Sequence, residues 1–73
     1  MIQNPAYYQM VLDTLCIALE DARPAVRAKA AEALGKIGDV AIAPILVKAF
    51  KDTSPEVRSS VIQALGQLIL NEA

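Results

Sequence analysis

The sequence predicts an all-α protein of four helices, arranged as two antiparallel helix pairs stacked side by side. Three observations lead there. The stretch from Asp21 to Gly38 returns, altered, from Asp52 to Ile69, and every matched pair is 31 residues apart without insertion. A fixed period of that size marks a stacked helical array. Within each half, apolar residues recur at spacings of three and four, the pattern of amphipathic helices. Two short turns, Asp21-Ala-Arg-Pro24 and Asp52-Thr-Ser-Pro55, interrupt that pattern and force the flanking helices to run antiparallel.

The first helix is expected from Ala6 to Glu20. Asn4 is suited to cap its free N–H groups, and Pro5 fits the first helical position. Val11, Leu12, Leu15, Cys16 and Leu19 form its apolar stripe, with Tyr7, Tyr8 and Met10 at its beginning. Pro24 disfavours helical geometry in the residue before it, so the chain turns at Asp21 to Pro24.

The second helix is expected from Pro24 to about Ile37, with Val26, Ala30, Ala33, Leu34 and Ile37 on one face. Gly38 can adopt the left-handed conformation that closes a helix, and Asp39 can cap the next. A third helix, roughly Val40 to Lys51, is apolar nearly all round, which predicts burial on more than one side; Pro44 should tilt its first turn. The fourth runs from Pro55 to about Leu70, with Ser54 a better cap than Arg23. The period also covers the first helix of each pair: Leu15 matches Leu46, Ala18 matches Ala49 and Leu19 matches Phe50. Residues 1–73 therefore read as a single domain, with repeat one at about 5–38 and repeat two at about 39–71.

Composition narrows the function classes. A chain of 73 residues has room for one small domain, and chains this short bury only ~60% of their unfolded surface. Cys16 is the only cysteine and there is no histidine, so neither an internal disulfide nor a zinc set is available. With 7 basic and 8 acidic residues interleaved and no tryptophan, there is no basic stripe or stacking platform for nucleic acid. Uncharged runs such as Val40 to Val47 fall well short of the ~20 residues that span a bilayer. No signal peptide is expected, and the expected location is the cytoplasm.

The pattern Asp-x-x-Pro-x-Val-Arg-x-x-Ala-x-x-Ala-Leu-Gly-x-Ile-Gly at Asp21 to Gly38 resembles the short HEAT-like repeat of phycobilisome lyases. The second copy departs from it in Val61, and in Leu68-Ile69 for the Ile-Gly ending. The resemblance covers nearly the whole chain. It implies a right-handed α-solenoid of helix pairs used mainly to hold other proteins, and no single reaction. In that family the arginine matched by Arg27 and Arg58 is a structural element, linking neighbouring pairs through the turn aspartate, matched by Asp21 and Asp52, or through backbone carbonyls. The competing reading makes these arginines a basic anchor for an anionic partner. Some HEAT-like hydroxylases bind iron through His-Glu pairs, which this histidine-free chain cannot do.

No catalytic, cofactor-binding or metal site is expected, because the carboxylates lie at turns or on solvated helix faces and nothing pairs them in a cleft. Gly35 and Gly66 suit close helix approach and form no phosphate loop. Cys16 reads as core filler, with no histidine or neighbouring cation to activate it. Of Tyr7 and Tyr8, one is expected to pack and the other to stay exposed.

Two surfaces remain as candidate binding sites. On the solvent side of the second helix of each pair, Ala25, Ala28, Lys29, Glu32 and Lys36 match Glu56, Ser59, Ser60, Gln63 and Gln67 in the second unit. In the resembled family this ridge lines the concave binding surface, and Lys29, Glu32, Lys36, Ser60, Gln63 and Gln67 are its candidates here. The second surface is the open end of the stack. Arg58, Ile62, Leu65 and Ile69 face where a third repeat would sit, opposite Arg27, Ala31, Leu34 and Gly38 in the first unit. A terminal repeat should be polar there, and Ile62, Leu65 and Ile69 are not.

The resulting expectation is a non-catalytic protein-binding scaffold module without cofactor. Its partner is a protein: a second copy is the simplest cover for Ile62, Leu65 and Ile69, and the rest of a longer repeat array or a distinct partner would serve equally well. The alternative is an accessory subunit of a bilin (tetrapyrrole) lyase or a related phycobiliprotein-handling complex.

Overall fold

A computed structural model describes residues 4–72, with side chains through residue 70. Four α-helices are present: α1 (Pro5–Ala18), α2 (Pro24–Ile37), α3 (Ala43–Ala49) and α4 (Pro55–Glu72), and α3 is preceded by a 3₁₀ turn over Val40–Ile42. There is no strand among the described residues. The chain is an all-α solenoid fragment.

Local chemistry accounts for the boundaries. Asn4 Oδ1 accepts from the Ala6 N–H at 2.8 Å, with Pro5 next to it in the first turn. Helix α1 stops two residues short of the expected Glu20. There the backbone tightens to three-residue bonds, Glu20 N–H to Ile17 C=O at 2.9 Å and Asp21 N–H to Ala18 C=O at 3.2 Å. The same tightening recurs 31 residues later, from Lys51 to Lys48 and from Asp52 to Ala49. Each following turn is held by its aspartate. Asp21 Oδ1 accepts from the Arg23 N–H at 2.8 Å, and Asp52 Oδ1 from the Ser54 N–H at 2.9 Å.

Gly38 closes α2 at φ 75°, the left-handed conformation. Asp39 Oδ1 then accepts from the Ala41 N–H at 3.0 Å. The expected third helix is split. Pro44 has no N–H to return to Val40, so the first turn winds as 3₁₀ and α3 proper begins only at Ala43.

The most extensive packing in the molecule joins α2 to α4, across the two repeats. Val57, Val61, Ala64 and Leu68 of α4 are buried, as are Ala28, Ala30, Ala31, Leu34 and Gly35 of α2. Leu12, Leu19, Ile42 and Leu46 complete the core from α1 and the α3 segment. Two expectations need correction. Ala28 is buried, although a helix wheel drawn for one partner places it outward. The reason is that α2 has two neighbours, and Ala28 lies on the side of Ala31 and Gly35. The third helix is also less enclosed than its composition implies: Ile45, Val47 and Phe50 are exposed, and its buried stripe is Ile42 and Leu46.

Candidate functional site

Arg27 is the link between the repeats. Its Nη1 donates to the Asp21 carbonyl of its own turn at 2.8 Å. Its Nε and Nη2 donate to the two carboxylate oxygens of Asp52 at 2.7 and 3.0 Å. This fork geometry matches a carboxylate with two parallel bonds. Both side chains are largely covered, at 14% and 12% exposure. The guanidinium beside it, and then the Ser54 N–H, hold the Asp52 carboxyl below its ordinary range despite partial burial.

Arg58 repeats half of this. Its Nη1 donates to the Asp52 carbonyl at 2.7 Å, the equivalent of the bond from Arg27 to Asp21. Its Nε and Nη2, the equivalents of the two atoms that hold Asp52, have no acceptor among the described residues. Asp21 is the reciprocal case. Its carboxylate serves the Arg23 N–H and lies 3.6 Å from an exposed Arg23 side chain, but no fork closes on it.

The two glycines of the repeated Ala-Leu-Gly differ in the same way. A Cβ added at Gly35 would lie 2.6 Å from the Ala64 Cα and 2.7 Å from its Cβ. The α2–α4 approach therefore requires glycine there. A Cβ at Gly66 would meet nothing within 4 Å.

The expected self-association residues lie on that same open side of α4. Ile62 is 57% and Ile69 72% exposed, whereas their first-repeat equivalents are closed in: Ala31 is fully buried and Gly38 half-buried. Leu65 is half-buried and packs against the core, while its equivalent Leu34 is fully buried. Beside them runs an apolar groove of ≈ 400 Å³, lined by Val40, Ala43, Leu65, Leu68 and Ile69. The equivalents of Ala43 and Leu65, namely Leu12 and Leu34, are both buried.

On the ridge expected to bind a partner, Glu32, Lys36, Gln63 and Gln67 converge around the Gly35–Ala64 contact. Lys29 Nζ meets Glu32 Oε1 at 3.1 Å and Lys36 Nζ lies 3.6 Å from Glu32 Oε2, so one carboxylate is shared by two lysines. Lys29, and then Lys36, draw the Glu32 carboxyl below its ordinary value. Ser60 is half-buried.

Tyr7 is exposed and Tyr8 half-buried, packed against the core. The Tyr8 hydroxyl donates to Asp39 Oδ2 at 3.0 Å, which raises its pKa, and thereby ties α1 to the turn entering the second repeat. Sequence reasoning did not find this bond, although the two residues are themselves 31 apart. Cys16 is half-buried, and burial, with the Asp13 charge second, pushes its thiol pKa up. No group of three potential metal ligands occurs among the described residues, and none of the helices is long and apolar enough to cross a membrane.

Comparison with known proteins agrees with this architecture. The family described as HEAT repeats matches residues 12–73. No significant match was found among curated proteins or among solved structures. A match over most of the chain, on a stack of two helix pairs related by a constant 31-residue step, shows that the chain belongs to the HEAT repeat family.

Proposed function

We propose that the chain is a non-catalytic protein-binding module that self-associates through the open end of its stack. One observation carries the reading. On α2 Ala31 and Leu34 are buried and Gly38 half-buried, whereas at the matching positions of α4 Ile62 and Ile69 are larger and exposed and Leu65 is half-buried. Side chains that large forgo ~1.5–3 kcal/mol each when left in water instead of buried. Arrays of this kind also need about three repeats for stability, so covering this end supplies what two repeats lack. HEAT repeats are in general protein-interaction modules, which agrees with this reading.

Absolute mass by light scattering over a ~100-fold concentration range, with helix content followed by circular dichroism, tests the proposal. A species larger than the monomer that dissociates on dilution is expected. Ile62→Glu should abolish it while Lys29→Glu leaves it intact; equal effects of the two would remove its basis. A monomer at every concentration would move attention to the concave ridge of Lys29, Glu32, Lys36, Ser60, Gln63 and Gln67. That ridge changes between repeats from charged to neutral, as suits the recognition of a second protein.

An accessory role beside a bilin lyase draws on the repeat resemblance alone. Adding bilin and a phycobiliprotein decides it, because a module without that role leaves the absorbance unchanged.

A further inference from the structure

The unused half of Arg58, the open Asp21 and the empty space at Gly66 are complementary parts of one contact. Within the chain, repeat two seats on repeat one through three features. Asp52 enters the Arg27 fork, Ala64 meets Gly35, and Val57, Val61 and Leu68 of α4 are buried in one core with Ala31 and Leu34 of α2. The receiving set recurs on α4 as Arg58, Gly66, Ile62 and Leu65. The entering set recurs on α2 as Asp21, Ala33, Val26 with Ala30, and Ile37.

Both recurring sets are open in part, with Ala30 buried and Leu65 half-buried against the core. Ile62, Ile69 and Gly66 are exposed on one side; on the other, Ile37 is exposed, Val26 and Ala33 are half-buried, and the Asp21 side chain is 32% exposed against 12% for Asp52. Charge and apolar character agree at each position, while the larger Ile62 in place of Ala31 is set against the smaller Ala30 in place of Val61. An arginine fork without an acceptor among the described residues matches the position of a carboxylate without a fork among them. A glycine with free space faces the position of an alanine.

We propose that copies of this chain stack head to tail, the α4 face of one copy receiving the α2 face of the next, with Arg58 of the first closing on Asp21 of the second as Arg27 closes on Asp52. The inference rests on the reading of α4 as a self-association face and adds its register and its partner surface. The contact is heterologous: each copy offers one receiving and one entering face. Such contacts propagate into open filaments unless the rotation closes a ring. In this register the α4 face of one copy meets the α2 face of another, and not a second α4.

Two variants with opposite ends blocked test this. Ile69→Glu blocks the receiving face and Ile37→Glu the entering face; both sites are exposed, and circular dichroism checks that each variant keeps its helix content. Wild-type protein should grow in mass with concentration beyond a dimer. Each variant alone should be monomeric, and an equimolar mixture should give a species of twice the monomer mass and nothing larger. Asp21→Asn, which keeps an acceptor for the Arg23 N–H, is the second entering-face variant and should weaken association by roughly fivefold or more.

An Ile37→Glu protein that still forms a dimer by itself would overturn the head-to-tail register while leaving self-association through α4 standing. A mixture that stays monomeric would overturn the register too. A wild-type monomer at all concentrations would overturn both readings together.

Discussion

Arg27 grips both carboxylate oxygens of Asp52, 25 residues further on, while its third contact holds the carbonyl of its own turn at Asp21. A single side chain thereby fixes the spacing of two repeats and the shape of one turn. Because the guanidinium stays charged, the carboxylate is the titrating half of the pair.

The folded-state pKa of Asp52 lies below its unfolded value, chiefly through the bond to Arg27. Its contribution to stability is therefore fully present above the unfolded value of about 4, and is lost as pH falls through the lower, folded one. Urea unfolding followed from pH 7 down to 2 should show a steeper loss below about pH 4 in wild type than in Asp52→Asn. Glu32, also lowered, by Lys29 first, titrates in the same direction. Glu32→Gln serves as the background in which the comparison is made. Equal slopes for both proteins would remove the pair from the acid transition.

The two glycines should respond oppositely to alanine. At Gly35 the added carbon collides with the Ala64 backbone, so Gly35→Ala should destabilise by about 1–3 kcal/mol through overpacking. At Gly66 the space is open, so Gly66→Ala should raise monomer stability by up to about 1 kcal/mol through helix propensity. Chemical denaturation of dilute protein measures both. If copies stack as proposed, Gly66→Ala should also weaken association, separating the stability of the fold from that of the assembly.

Leu34 and Leu46 are fully buried, one in each repeat. Leu34→Ala and Leu46→Ala should each cost about 2–5 kcal/mol, enough to unfold a domain this small. Ile69→Ser, at a largely exposed site, should change monomer stability by no more than about 0.5 kcal/mol. Denaturation midpoints at low protein concentration test the contrast.

Cys16 should react slowly. Burial and the Asp13 charge both favour the thiol over the nucleophilic thiolate. Its labelling by a disulfide reagent at pH 8 should therefore be slower than that of the same residue in urea. A rate matching or exceeding the unfolded one would contradict this assignment.

Much of the architecture was legible as letters. The caps at Asn4 and Asp39, the left-handed Gly38 and the aspartate turns all depend on groups a few residues apart, and helix periodicity depends on spacings of three and four. The boundaries misread were those where one backbone hydrogen bond decides. Three-residue bonds end α1 at Ala18, and the missing Pro44 N–H turns the start of the third helix into a 3₁₀ turn.

Placement in the stack was not legible in the same way. Gly35 and Gly66 stand in the same Ala-Leu-Gly, yet one touches Ala64 and the other nothing. Arg27 and Arg58 stand in the same Val-Arg, yet one holds a carboxylate and the other only a carbonyl. Ala28 is closed in because α2 has a neighbour on either side, and Val47 stays exposed although its helix is apolar all round. The constant 31-residue step was enough to establish repeated helix pairs, because each turn and each helix is specified by short-range chemistry. Which copy of a repeated residue is buried, paired or free depends on the packing of a helix some thirty residues away, so identical local sequence takes different roles at the middle and at the end of the stack.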